Sequence, residues 1–344
     1  MCGVAWRESS RSANAFATPR EREFPVEKTD AILITGGHGM VGSRLVDHLK
    51  AQDYSNLLVP SRQDMDLCDS RSVDAWFAKH RPQYAFLIAA QVGGIAANLA
   101  NPTGFLANNL LIAVNQLSAC HNFGVEKLLF LGSSCIYPRE CPQPMHEDHL
   151  LTGPLEPTNE GYAIAKIAGL RLAQSYFKQH GLKCVLPMPC NIYGTGDHFD
   201  LERCHVLSAL VKRFYDAEKT GAEEVVLWGT GVARREFIHV DDVVDGMLHL
   251  FESAPEAEVI NLGTGEDVSI AELAAIIAEE TGFQGRINWD TTKADGMPRK
   301  CTDVGRLKQL GFTARISLRD GIRRTIREYS EQARQIDELP GRAA

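Results

Sequence analysis

Ala31-Ile32-Leu33-Ile34-Thr35-Gly36-Gly37-His38-Gly39-Met40-Val41-Gly42 runs from an apolar segment straight into a glycine turn, and Ser43 to Lys50 continues with helical spacing. Strand, glycine turn and helix in immediate succession make the first unit of a parallel, doubly wound α/β sheet. Gly36 permits the tight turn, Gly39 lets a pyrophosphate approach the backbone, and Gly42 lets the helix pack closely on the strand. The helix amino terminus adds free N–H groups and the positive end of a dipole. A glycine triplet alone is weak evidence. In this strand–helix context it predicts a dinucleotide site made of Gly36, Gly37, His38, Gly39, Met40, Val41 and Gly42.

Further units extend outward from this one. Asn56 to Val59 reads as strand two. A free ribose 2′-hydroxyl normally meets an acid at the end of that strand. Here the chain reads Val59-Pro60-Ser61-Arg62, with Asp64 and Asp66 only later. The Arg62 guanidinium suits a 2′-phosphate, which predicts NADP(H) over NAD; the competing reading is a solvated loop arginine. Asp66 and Leu67 are placed beside the adenine. Arg71 to His80, Phe105 to Phe123 and Tyr162 to His180 have helical spacing. Tyr84 to Ala89, Leu128 to Leu131 and Lys183 to Pro187 read as strands three, four and five. The expected fold is α/β, a Rossmann-type doubly wound parallel sheet with a smaller mixed α/β C-terminal substrate-binding part.

The segment from Pro189 to Arg203 reads as a long functional loop. Helices are expected at Val206 to Phe214, Asp241 to Phe251, Ile270 to Glu280 and Leu318 to Tyr329. Short strands are expected at Val225 to Trp228, Arg235 to Ile238 and Arg286 to Trp289. The apolar runs here look too short for a second parallel sheet. The predicted organisation is a disordered extension over 1–28, a cofactor domain over 29–190 to which about 229–265 partly returns, a mainly substrate-binding part over 191–335, and a tail over 336–344.

Composition narrows the function classes. A net charge of −8 over 344 residues gives no electrostatic footprint for nucleic acid. No run of about 18 apolar residues could span a bilayer. The 9 cysteines are scattered and never form C-x-x-C, which predicts reduced thiols in the cytoplasm rather than a disulfide framework or a zinc site. No metal-ligand cluster is evident.

The chemistry-bearing stretch lies between Phe130 and Lys166. Ser133, Ser134 and Cys135 follow strand four, at the carboxyl edge where open α/β sheets hold their ligands. Tyr162 and Lys166 are four apart on a helix and share one face. A lysine ammonium beside a phenol favours the phenolate and eases proton exchange near neutral pH. Y-x-x-x-K by itself equally describes a surface Tyr and Lys.

Thr35-Gly36-x-x-Gly39-x-x-Gly42 with Ser133, Tyr162 and Lys166 resembles the extended short-chain dehydrogenase/reductase superfamily. Gln91 to Ile95, Gly132 to Pro138, Leu155 to Asn159, Tyr162 to Ala168, His205-Val206, Trp228 to Gly231 and Arg235 to Phe237 narrow the resemblance to its GDP-L-fucose synthase family, over roughly 31–329. That resemblance implies 3,5-epimerisation of GDP-4-keto-6-deoxy-D-mannose and reduction at C4 by NADPH. Tyr162 would be the proton donor, Lys166 its tuner and a ribose ligand, and Ser133 the holder of the sugar oxygen. Cys135 and His205 would be the epimerisation base and acid. Leu131, Gly132, Ser133, Ser134, Lys166, His205 and the run Pro189-Cys190-Asn191-Ile192 would line the cofactor. Arg213, Trp228, Arg235 and Asp295 would contact the nucleotide sugar. It also implies a homodimer built on the helices over 105–123 and 162–180. Two departures stand out. His38 occupies the place of an arginine that many relatives direct at the 2′-phosphate, and Arg213 stands where some have lysine. Two rivals are a nucleotide-sugar 4-epimerase of the same superfamily and a non-catalytic NADP-binding sensor.

Overall fold

The computed structural model describes residues 26–200, 205–293 and 295–337. The predicted extension over 1–28 lies almost wholly outside them, as do most of the tail and the end of the 189–203 loop. In chain order the elements are β1 (Ile32–Thr35), α1 (Met40–Ala51), β2 (Leu57–Leu58), α2 (Ser70–His80), β3 (Tyr84–Leu87), α3 (Ile95–Ala100), α4 (Pro102–Asn122) and β4 (Lys127–Phe130). Then come α5 (Glu160–His180), β5 (Lys183–Pro189), β6 (Asn191–Tyr193), α6 (Val206–Thr220), β7 (Glu224–Trp228), β8 (Arg234–His239) and α7 (Val240–Ser253). The chain finishes with β9 (Val259–Leu262), β10 (Asp267–Ser269), α8 (Ile270–Thr281), β11 (Arg286–Asp290), β12 (Arg299–Lys300), α9 (Gly305–Gln309) and α10 (Leu318–Asp337).

The strands that read as unbroken apolar runs are buried on both faces, because helices cover both sides of their sheet. The main sheet has six strands in the order β2-β1-β3-β4-β5-β9. Every pairing in it is parallel. On one face α1 and α7 pack Leu45, Val46, Leu49, Val243, Met247 and Phe251 against Ile32, Ile34 and Phe86. On the other, α2, α4 and α5 pack Val73, Phe77, Leu117 and Leu170 against Leu33, Leu87 and Leu128. The strand order reverses between β1 and β3, so the turn after β1 opens into the crevice where such sheets bind ligands.

The sheet has six strands rather than five. β9 joins from far along the chain, and α7 packs beside α1. The return to the first domain is therefore carried by 240–262, whereas β8 stays with the second. The second part also differs from its expectation. β6 interrupts the 189–203 segment and pairs in parallel with β8, as does β12, and β11 pairs in parallel with β7. These strands are two to six residues long. Strands that short carry no readable apolar run, and their pairing is settled by partners distant in sequence. Their core is supplied by α6, α8 and α10, through Leu207, Val211, Phe214, Leu273, Ile277 and Ile322.

Candidate active site

Gly36 leaves β1 with φ of 73°, a left-handed conformation that only glycine adopts cheaply. Gly42 sits against the Gly36 carbonyl, where a Cβ would have no room. Gly37 faces inward to Val59 and Ile34 rather than a cavity. Gly39 caps α1 with extended backbone and no side-chain hydrogen bond, so the first N–H groups of the helix have no side-chain acceptor. A cavity of about 310 Å³ lies on one side of this turn, lined among others by Gly36, His38, Gly39, Arg62, Asp66 and Leu67. A second, of about 470 Å³, lies on the other and shares Gly36, Gly39, Ala89 and Ala90 with the first. Two cavities meeting at an uncapped helix amino terminus, with an arginine at one end, fit a dinucleotide with a pyrophosphate at its middle.

The larger cavity is lined by Met40, Val41, Gly42, Leu131, Gly132, Ser133, Ser134, Cys135, Tyr162, Lys166, Pro189, Cys190, Asn191, Ile192 and His205. It therefore gathers all five of the predicted catalytic side chains. Ser133 ends the β4 segment in extended conformation and caps the short turn Ser134–Ile136, its Oγ accepting from Cys135 N at 3.2 Å. That cap turns the Cys135 side chain off the sheet edge into the cavity. Lys166 is buried and donates from Nζ to Leu131 O at 2.7 Å, tying α5 to the end of β4. Burial lowers its pKa to about 8. Tyr162 is pushed well up, first by burial and then by the neighbouring Cys135, while a hydrogen bond with Ser133 works the other way. Burial, rather than Lys166, dominates the acidity of the phenol. Tyr162 stands as a protonated donor, the state that reduction of a ketone requires. His205 is the exposed first residue before α6, at the cavity mouth.

Burial pushes the Cys135 thiol up, but the Lys300 ammonium, the Ser133 hydroxyl and Arg235 together outweigh it and hold the thiol below its ordinary range. Lys300 Nζ lies 3.3 Å from Cys135 Sγ. Nothing local pointed to Lys300, since 165 residues separate the two. Asn159 was equally without an assigned role. It lines the cavity, and its Oδ1 is buried without a partner.

The four residues assigned to the nucleotide sugar line neither cavity. They belong to the second part, and of the four Arg235 acts on the cavity residue Cys135. Arg235 donates to Met297 O at 2.6 Å and to Arg234 O at 2.8 Å; burial lowers its pKa, with Asp295 and Cys135 opposing. Asp295 accepts from Thr230 N at 2.9 Å and Oγ1 at 2.6 Å. Arg213 donates to Val226 O at 3.1 Å on β7, the strand that ends in Trp228. The Trp228 ring is 67% exposed with Lys293 over it at 5.6 Å, so it is no core residue.

Residues 32–263 match the model of the NAD dependent epimerase/dehydratase family. The chain belongs to that family. Within it, the chain is 47% identical to GDP-L-fucose synthase 1 of Arabidopsis thaliana, over 88% of this chain and 94% of that one. It is 45% identical to the GDP-L-fucose synthase of Escherichia coli (strain K12), over 87% of this chain and 96% of the other. A solved GDP-L-fucose synthetase from Naegleria fowleri bound to NADP superposes with a TM-score of 0.80 at 28% identity, covering 90% of this chain and 96% of that one.

Proposed function

We propose that this chain is a GDP-L-fucose synthase, converting GDP-4-keto-6-deoxy-D-mannose to GDP-L-fucose by 3,5-epimerisation and NADPH-dependent reduction at C4. One observation carries the reading: the Ser133–Tyr162–Lys166 reductase group shares its cavity with a thiol held below its ordinary pKa range and with His205. A simple reductase or a 4-epimerase has no use for the second pair.

The C4 ketone acidifies the hydrogens on C3 and C5. Cys135 as thiolate removes them one at a time, and each time the electron pair moves to the C4 oxygen held by Ser133. His205 returns a proton to the opposite face, giving inversion. NADPH, when bound, supplies hydride to C4. Tyr162 then gives its proton to the alkoxide. Arg62 and His38 hold the 2′-phosphate end of the cofactor, the α1 amino terminus its pyrophosphate, and Lys166 with Pro189 to Ile192 its nicotinamide half. Arg235 and Arg213 offer charge to the substrate diphosphate, Trp228 an aromatic face to guanine or ribose, and Asp295 a hydrogen-bond acceptor.

The same reading includes a homodimer. Leu111 and Val114 on α4 and Ile164 on α5 are exposed at 44%, 45% and 41%, an apolar face on the paired helices. Light scattering at micromolar concentration is expected to give twice the chain mass; a monomer removes this part.

The central test is isotopic. With GDP-4-keto-6-deoxy-D-mannose and NADPH in deuterated water, the product carries deuterium at C3 and C5 while the C4 hydrogen comes from NADPH. Cys135→Ser slows the deuterium entry by about 10²–10⁴-fold, the usual worth of a positioned base. Wild-type protein that reduces the ketone without deuterium entry would refute the epimerase half.

A further inference from the structure

Lys300 lies on β12, opposite Arg235 of β8 in the strand pairing. Its neighbours pin that short strand on either side. Arg299 Nε donates to Asp267, Cys301 N donates to Gln143 Oε1 at 3.0 Å, and Thr302 donates from both N and Oγ1 to Glu236 Oε2 at 2.7 Å. Glu236 is itself fully buried and also accepts from Thr264 N and Gly265 N, each at 2.7 Å. The backbone that delivers Lys300 is therefore held at several points. Its own ammonium ends on no carboxylate among the described residues; it ends on the Cys135 sulfur at 3.3 Å.

We propose that Lys300 is the positioning residue of the epimerisation step: it keeps Cys135 as a thiolate and fixes its direction into the cavity. The proposal rests on the reading of Cys135 as a base. The other charged or titratable groups facing the sulfur are Arg235 from β8 and Tyr162 from α5, with the Ser133 hydroxyl on the same loop. Arg235 already donates to two carbonyls, and Tyr162, held protonated, carries no charge to balance the anion. Lys300 is the strongest favourable influence on it, and a pair at this distance in a half-buried cavity holds charge that an isolated buried thiol would not.

In the step itself the C3–H or C5–H bond breaks, its electron pair passes to the C4 oxygen as enolate, and the proton forms the S–H bond. Lys300 keeps its proton throughout and faces a neutral thiol afterwards. Between the two epimerisations, and again before the next turnover, the thiol gives its proton to water, His205 takes one up, and the ion pair reforms.

The test reads thiol acidity without substrate. Iodoacetamide labelling of Cys135, resolved by peptide mass spectrometry, is followed from pH 5 to 9.5 in the wild type, Lys300→Gln and Lys300→Arg. Lys300→Gln is expected to shift the profile upward by at least about one pH unit, which makes labelling at pH 7 roughly tenfold slower. Lys300→Arg keeps the charge and stays near the wild type. Deuterium entry at pH 7 falls in Lys300→Gln by a similar factor and recovers as pH is raised, a rescue that a merely structural role would not give. Circular dichroism melts confirm that the variants are folded; if Lys300→Gln is not, Lys300→Met takes its place. A Lys300→Gln profile superimposed on the wild type overturns the proposal. A shifted profile in a protein whose wild type exchanges no deuterium leaves the ion pair standing and overturns the reading of Cys135 as a base.

Discussion

The glycine turn and the thiol cluster are built in opposite ways. The turn, from Gly36 to Gly42, is one uninterrupted piece of chain between β1 and α1, and it meets its cavities chiefly with backbone N–H groups. The cluster draws Ser133 and Cys135 from the end of β4, Tyr162 and Lys166 from α5, His205 from before α6 and Lys300 from β12. Backbone recognition tolerates change wherever a side chain can still be accommodated, and fails where a Cβ would collide. Side-chain chemistry fails when one atom is lost, wherever in the chain it comes from.

The sharpest contrast is expected at Tyr162. Tyr162→Phe lowers NADPH oxidation by about 10²–10⁴-fold, because the proton for the alkoxide is gone. Deuterium entry at C3 and C5 persists, since Cys135 and His205 remain. Measuring both rates on one sample separates the two halves of the cluster; equal losses would mean that they act as a single unit.

Arg62, which lines the cavity beside the turn, tests the turn's side of the comparison. Arg62→Ala is expected to weaken NADPH binding by about 1.5–3 kcal/mol, the range for hydrogen bonds to a charged group, with NADH almost unaffected. Titration calorimetry with both cofactors decides it. Equal losses would leave His38 as the determinant.

Gly42→Ala should act on the fold rather than on the chemistry. Its Cβ meets the Gly36 carbonyl, so the change costs about 1–3 kcal/mol through forced displacement of the turn. Urea unfolding of the cofactor-free protein measures it, and an unchanged midpoint would show that the turn relaxes freely.

A last effect, graded with pH, concerns Lys166, whose charge burial disfavours. Its pKa is about 8 folded, against the ordinary 10.5 unfolded. Between those values the unfolded chain binds the extra proton, so stability rises with pH across the window from 8 to 10.5, and below 8 the full penalty is present. The stability difference between wild type and Lys166→Met is therefore expected to move by about 3 kcal/mol in favour of the wild type as pH rises through that window. Taking the difference removes the cysteines and tyrosines that titrate there in both proteins. A pH-independent difference would mean that the ammonium is better solvated than its burial implies.

The local pieces of both regions were legible in the sequence for the same reason. A strand, a glycine turn and a helix are specified by neighbours within a dozen residues, and so are a Ser-x-Cys turn and a Tyr–Lys pair on one helical face. β6 was not legible, because three residues carry no period and their partners Phe237 to His239 lie far along the chain. The sixth strand of the main sheet was missed on the same grounds.

By itself the sequence determined the first five strands of the main sheet, the phosphate turn, Arg62 after strand two, and the residue types of the reaction. Only the tertiary structure decided that Cys135 has a cation. Lys300 looks like any surface lysine beside an arginine until β12 pairs with β8 and sets its ammonium 3.3 Å from the sulfur. A thiol's acidity depends on what stands beside it in a half-buried cavity, and pairing between strands remote in sequence is what puts it there.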